Sequence, residues 1–431
     1  MKKITLFTVI FYSFCTFGQD TVKVMTTNLL NYNNNTSYCT QTNNNVTNKD
    51  AYIRDIFSYV MPDIWGVNEV SGNGSTSVQR ILDNDLNING ATWYKRANYV
   101  NSNGSDIISM IYYDSRKFTL YNQNYLPSLY RDILIYKFYY NSPDITTLND
   151  TVYLTCIQMH LKAGSYAADQ SDRATETMTL MNYLNGLTNY GNVIVMGDFN
   201  VQSSNEQCFQ NLINYSNANI RFYDPPNKLG DWKDNSAFTM YHTQSTNITS
   251  NNCNASGGMD DRFDFILASF YVINNIAKIK YVPSSYIVIG QDGLHMNQSI
   301  NSPANYSVPS NVLNALYNNS DHLPVTIKLR INQTPISEVE KTPYLSQNIK
   351  LLNIINDNAQ IEIYSDKNDS YNISLYNQLG EIIYYSNYRI ENGYNYISIP
   401  IQQFAEGLYL FNISCSTENY TFKIMKINKW K

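Results

Sequence analysis

The chain has 431 residues, of which 43% are hydrophobic and only 15% charged, with a formal net charge of −5 and a pI near 5.4. That length allows two or more domains with a large core, and that hydrophobic content excludes a disordered chain. The acidic balance excludes a passive nucleic-acid coat, so a phosphate-bearing substrate would have to be held by local basic groups or bound cations.

The N-terminus reads as an export signal over residues 1–18. Lys2 and Lys3 precede the apolar ITLFTVIFYSFCTF, and the small residues Thr16 and Gly18 lead into Gln19-Asp20. The apolar stretch is shorter than the about 20 residues that a membrane span needs. From 20 to about 330, strand-like and helix-like segments alternate, which predicts an α/β architecture. VKVMTT is the first strand. Ile53, Ile56, Phe57 and Val60 recur at i, i+3, i+4, i+7, predicting a helix over 49–60 that Pro62-Asp63 stops. DIWGVN and VYLTCIQM are further strands. A helix over 168–187 places Ala174, Met178, Met181 and Leu184 on one face, with Gly186 near its end. NVIVMG, FILAS and LPVTIKL are the next strands, with a short helix around Phe209, Leu212 and Ile213. Residues 331–346 carry two prolines and little periodicity and read as a linker. Residues 347–431 hold short alternating strands such as IEIYS, NISLYN and LYLFNIS, as in a small all-β sandwich.

Beyond the predicted signal, the cysteines are Cys39, Cys156, Cys208, Cys253 and Cys415. No CxxC pair occurs, which excludes a zinc ribbon. Cys156 lies in an apolar strand and reads as a small core residue. Cys39, Cys208 and Cys253 are the candidates for a disulfide in an oxidising compartment.

The apolar runs share a feature: polar residues stand at their ends. VKVMTT stops at Asn28, DIWGVN at Glu69, VYLTCIQM at His160 and NVIVMG at Asp198. Asp264 precedes FILAS, and Asp321-His322 precedes LPVTIKL. Catalytic and ligand groups collect where buried strands end. In GDFN (197–200), Asp198 and Asn200 are two apart beyond a glycine, so a carboxylate and an amide can face one phosphate. Glu69, with no basic neighbour, suits a hard cation. His160 and His322 are two of only four histidines and are candidates for proton transfer. Asp264 is placed to orient one imidazole and Asp106 the other. Lys162 and Arg173 are candidate phosphate contacts. Asp261 and Arg262 read as a local ion pair, and His242 and His295 as loop residues.

Together, GDFN, SDHLPV and the strand-end Glu69 resemble the endonuclease/exonuclease/phosphatase family of magnesium-dependent phosphoesterases, over about 22–330. The resemblance implies two β-sheets packed face to face with helices outside, a four-layer sandwich. It implies Mg²⁺, with Mn²⁺ or Ca²⁺ as substitutes, at Glu69 and Asn28 with Asp321 close to the same ion. It assigns Asp198 and Asn200 to the attacking water and phosphate, His160 and His322 to proton transfer, and Asp264 to orienting His322. NQLGEIIY, EGLYLFNI and the Lys-rich end KIMKINKWK resemble the C-terminal sorting domain of type IX secretion. The implied protein is a secreted or surface-exposed monomer that reaches its location through the secretion machinery and hydrolyses extracellular DNA or RNA. Two rival expectations are a phosphoesterase of phospholipids or inositol phosphates, favoured by the aromatic-rich Tyr121–Tyr140 segment, and a non-catalytic adhesion protein on a nuclease scaffold.

Overall fold

The computed structural model describes residues 20–142, 151–188, 190–331, 349–351, 354–355, 358–377, 379–415 and 419–426. The predicted signal at 1–18 and all but the first residue of the predicted linker at 331–346 lie outside them. The chain divides into two compact units, Met1–Pro335 and Ile336–Lys431.

In the first unit two βαβ passes set the frame. Strand Asp20–Tyr32, helix Val46–Val60 and strand Ile64–Ser71 form one, with the strands parallel and adjacent. Strand Tyr153–His160, helix Ala167–Asn185 and strand Val193–Asp198 form the other. Each lies in its own sheet. The first sheet orders Ile279–Tyr281, Val325–Ile331, Asp20–Tyr32, Ile64–Ser71, Ile107–Asp114 and Tyr94–Arg96, and Ile287–Val288 also pairs with Val325–Ile331. The second orders Phe118–Leu126, Ile133–Tyr140, Tyr153–His160, Val193–Asp198, Asp264–Ser269 and Phe222–Tyr223.

Alternation along the strands explains the layering. Val22, Val24 and Ile111 of the first sheet share a core with Tyr136, Cys156, Ile194 and Met196 of the second, so the inner faces pack together. The other face of the second sheet (Ile157, Val195, Phe265) packs against Leu180, Met181 and Leu184 of the long helix and Phe209 and Leu212 of helix Gln207–Ile213. On the first sheet's outer side, helix Val46–Val60 sets Phe57 against Trp65, with ring centroids 5.4 Å apart. The result is the expected α/β sandwich of helix, sheet, sheet and helix.

Three details differ from the sequence reading. The buried face of Ala167–Asn185 includes Arg173, Glu176 and Thr177, while Met178 is exposed. Helix Ser310–Asn319, with Val312, Leu313, Ala315 and Leu316 buried, was not anticipated among its asparagines. The β/α alternation lapses over 94–140, where four successive strands without helices between them form two antiparallel pairs, one in each sheet. Among the described residues no helix is long and apolar enough to cross a membrane.

The second unit is all-β. A three-stranded sheet (Ile349–Leu351, Asn358–Ser365, Gly393–Pro400) and a five-stranded sheet (Ile354–Ile355, Asp369–Tyr376, Ile382–Ile390, Gly407–Ser414, Asn419–Lys426) bury one shared core. Ile361, Ile363 and Ile399 from one sheet meet Ile373, Phe411 and Phe422 from the other.

Candidate active site

Strand pairing delivers the polar residues to one place. In the second sheet Asp198 is the register partner of both His160 and Asp264, so three site residues stand side by side across neighbouring strands. In the first sheet Asn28 pairs with Asn68, one residue before Glu69. The ladder between Ile64–Ser71 and Ile107–Asp114 slips between Val67 and Val70, and Glu69 has φ 60°. Such an irregularity re-aims a side chain at a strand end. Gly197 is required by crowding. Its φ is 134°, and a Cβ there would lie 1.9 Å from the Met159 carbonyl oxygen.

Asp198 Oδ2 is the centre of the cluster. Asn28 Nδ2 donates to it at 3.0 Å and to Glu69 Oε1 at 3.0 Å, bridging the two carboxylates. His160 Nε2 lies 3.5 Å from Asp198 Oδ2 and 3.8 Å from Glu69 Oε1. His322 Nε2 approaches the same Asp198 oxygen at 3.9 Å, and its Nδ1 is 2.7 Å from Asp264 Oδ2. The other Glu69 oxygen, Oε2, accepts from the Asn31 amide nitrogen at 3.0 Å. Asn200 donates its backbone N–H to Asp198 Oδ1 at 3.0 Å and its Nδ2 to the Leu161 carbonyl at 3.2 Å.

The two imidazoles are electrostatically unlike. Burial lowers the His160 pKa well below the usual range, and the charges of Arg131 and His322 lower it further, so the ring is neutral. Burial would also depress His322, but the carboxylates of Asp264, Asp198 and Asp321 outweigh it and hold this ring well above the usual histidine range. Burial raises Asp198, with the nearby Asp264 and Glu69 charges adding to the effect against the opposing pull of His322 and Asn28.

The donor set suits a divalent cation. Glu69, His160 and Asp198 each present a ligand atom, all within 4.8 Å of one another. Asp321 Oδ1 is buried and has no hydrogen-bond partner among the described residues. The carboxylate oxygens suit hard divalent cations, and the imidazole is the softer member of the set. The grouping differs from the one implied by sequence: Glu69 and Asn28 touch, whereas Asp321 stands beside His322, with Oδ1 3.9 Å from its Nε2. Asn28 turns its amide nitrogen to the carboxylates while its Oδ1 accepts from Leu30 N. Coordination by Asn28 therefore requires the amide to turn over.

The substrate-contact candidates are paired with other groups or face solvent. Arg173 is fully buried, ion-paired with Glu206 at 2.6 Å, and donates to the Lys162 and Gly164 carbonyls; it fixes the loop after His160 and is not open to a phosphate. Lys162 pairs with Asp169 at 2.9 Å. The Asp106 side chain is exposed, and His160 Nδ1 has no hydrogen-bond partner among the described residues, so Asp106 does not orient that ring. Arg262 pairs with Asp224 rather than with Asp261. His242 is buried between the Trp232 and Met259 carbonyls, and His295 between Asp292 and the Pro303 carbonyl, so both serve the loops that hold them.

Four site neighbours escaped the sequence reading. Gln244 Nε2 lies 2.7 Å from His322 Nε2. Arg131 donates to the carbonyls of His160 and Leu161, fixing that strand end. Asn68 ties the two sheets under the site through Met159 O, Asp198 N and Gln158. Lys49 is buried, and its ammonium donates to the Asn319 carbonyl, two residues before Asp321. Asn68 alone had a usable signal, as an amide inside an apolar run.

A disulfide joins Cys39 to Cys253, one of the pairings left open by the sequence, and Cys156 and Cys208 are buried thiols. Two residues beyond Cys253, the Ala255 N–H donates to Asp321 Oδ2 at 2.7 Å. The bridge closes a loop of 214 residues. Replacing both cysteines by serine is expected to destabilise the protein by about 2–5 kcal/mol. A thermal melt that is unchanged on mutation or reduction would contradict a stabilising bridge.

Residues 355–427 match the family described as secretion system C-terminal sorting domain. The C-terminal unit carries a secretion-system sorting domain. No curated protein matches the chain. Solved structures similar to it include an endonuclease/exonuclease/phosphatase family protein from Bacteroides thetaiotaomicron, the family that the sequence motifs resemble, at 14% identity over 73% of this chain and 97% of that one, with a TM-score of 0.43. The human Nocturnin catalytic domain with bound sulfate is similar at 12% identity over 73% and 97%, TM-score 0.43. Truncated Caenorhabditis elegans TDP2 is similar at 17% identity over 72% and 97%, TM-score 0.42.

Proposed function

We propose that the first unit is a magnesium-dependent phosphodiesterase that cleaves DNA, and RNA by the same chemistry, outside the cell. The observation that carries this reading is the convergence on Asp198 Oδ2 of two imidazoles of opposite character and a second carboxylate, Glu69. A bound divalent ion at Glu69, with Asn28 and Asp321 contributing, would neutralise charge developing on the phosphate and fix its orientation. Asp198 holds the attacking water, and neutral His160 accepts its proton. His322, cationic and oriented through Nδ1 by Asp264, donates its Nε2 proton to the leaving oxygen. Asn200, whose Nδ2 has a second N–H beyond the one given to Leu161, binds a phosphoryl oxygen. The sorting domain supports export by type IX secretion to the cell surface or the medium, and the protein is proposed to act there as a monomer.

A second reading, a phosphoesterase of phospholipids or inositol phosphates, is favoured by one feature. The hairpin of Phe118–Leu126 and Ile133–Tyr140 and its connecting loop expose Tyr121, Tyr125, Leu129 and Tyr130 at the sheet edge. The discriminating assay gives the full chain Mg²⁺ with plasmid DNA, RNA, sphingomyelin and inositol phosphates in parallel, each with an EDTA control. Plasmid nicking abolished by EDTA is the expected result. Hydrolysis confined to the lipid or inositol substrates would overturn the nuclease reading in favour of the second.

A further inference from the structure

The segment Asn319–Leu323 brings Asp321 and His322 into the site and is held from two sides. On one side it is laid against residues 243–246: Leu323 N donates to Thr243 O at 2.8 Å, Thr246 N to Asp321 O at 3.1 Å, and Thr246 Oγ1 to Ser320 O at 2.8 Å. All of these bonds are between neutral groups. On the other side stands Lys49, 1% exposed, whose ammonium donates to the Asn319 carbonyl.

Lys49 is poorly placed for its own helix. It lies near the N-terminus of Val46–Val60, where a cation opposes the helix dipole. It is well placed for the other helix, because Asn319 is the last residue of Ser310–Asn319, where carbonyls lack intrahelical partners and positive charge is favoured. The Ser320 that follows is extended, with φ −153°. Burial pulls the Lys49 pKa down to about 7, and the carboxylates acting against that pull are Asp321 and Glu69, both at the proposed metal pole. A buried lysine is retained against a large desolvation penalty only where opposing charge and acceptors compensate it.

We propose that Lys49 is a positioning residue for Asp321 and His322: its ammonium clamps the carboxyl end of helix Ser310–Asn319 and so sets where both side chains enter the site. The kinetic part of its test rests on the phosphodiesterase reading; the spectroscopic part does not. Lys49→Met removes the charge and every donor at nearly constant volume, and Lys49→Arg keeps both. The spectroscopic readout is the downfield proton of His322 Nδ1–H bonded to Asp264, assigned by its loss in His322→Ala. In Lys49→Met this resonance is expected to shift or broaden. With Mg²⁺ and plasmid DNA, kcat is expected to fall about 10–100-fold, as a misplacement near 1 Å would produce, with little change in KM. Lys49→Arg is expected to restore both. If Lys49→Met does not fold, Lys49→Gln replaces it, keeping a donor but no charge. A folded Lys49→Met, or Lys49→Gln in its place, with wild-type resonance and wild-type kcat would overturn the proposal. Absence of hydrolysis by the wild-type protein would instead sink the functional reading and leave the resonance measurement to decide the role of Lys49.

Discussion

Replacing His322 by alanine is expected to lower phosphodiester hydrolysis by about 10²–10⁴-fold, the usual contribution of a positioned acid or base. The protein should remain folded, because the ring is held by side chains of the site rather than by the apolar core, with Nδ1 on Asp264 and Nε2 facing Gln244 and Asp198. Asp264→Asn tests the cause. Asp264 is the largest of the influences that raise His322 against its burial. A raised histidine pKa keeps the acid form available up to a higher pH, and the proton is lost as pH rises through that pKa. Removing the Asp264 charge should therefore move the alkaline limb of the kcat profile to lower pH as well as reduce kcat. An alkaline limb that stays in place in Asp264→Asn would show that His322 is not the acid. His160→Ala should affect the opposite limb, because burial keeps that ring neutral and fit to accept a proton.

The second large effect concerns the cation. Chelation should abolish activity, and Glu69→Gln should do nearly the same while weakening metal binding. Binding should also be visible without turnover. Ligand at 100 times its dissociation constant stabilises a fold by about 2.7 kcal/mol. Mg²⁺ or Mn²⁺ should therefore raise the melting temperature of the wild-type protein by a few degrees, and that of Glu69→Gln much less. The reasoning is local. Asn28 Nδ2 is shared between Glu69 and Asp198, and a neutral amide offsets their repulsion far less than an ion would. Equal melting shifts in wild-type and Glu69→Gln proteins would place the ion elsewhere.

Much of this site could be read from the chain because a strand end is a local property. An apolar run flanked by a carboxylate or imidazole announces itself without reference to any partner, and Glu69, His160, Asp198, Asp264 and His322 all stand at such an end. Residues whose role depends on a distant neighbour could not be. Arg173 looked like a phosphate ligand because its partner, Glu206, is 33 positions away. Gln244 looked like ordinary loop, and nothing local marks it as the neighbour of His322. Lys49 shares its face of the helix with buried apolar residues, and only the packing of helix Ser310–Asn319 explains its charge. Asp106 precedes the strand Ile107–Asp114 much as Asp264 precedes its own strand, but its side chain is exposed and His160 Nδ1 has no partner among the described residues.

By itself the sequence determined the α/β alternation, the small all-β unit after it, and the residue types that end the core strands, because hydrophobic periodicity and turn chemistry act over a few residues. Only the tertiary structure decided which of those ends meet. Pairing of His160 and Asp264 with the same Asp198 is a matter of strand register. The approach of Glu69 and Asn28 from the other sheet is a matter of how two inner faces pack. Both are long-range, and both control the electrostatics: burial drives His160 toward neutrality, while three carboxylates drawn from separate elements keep the proton on His322.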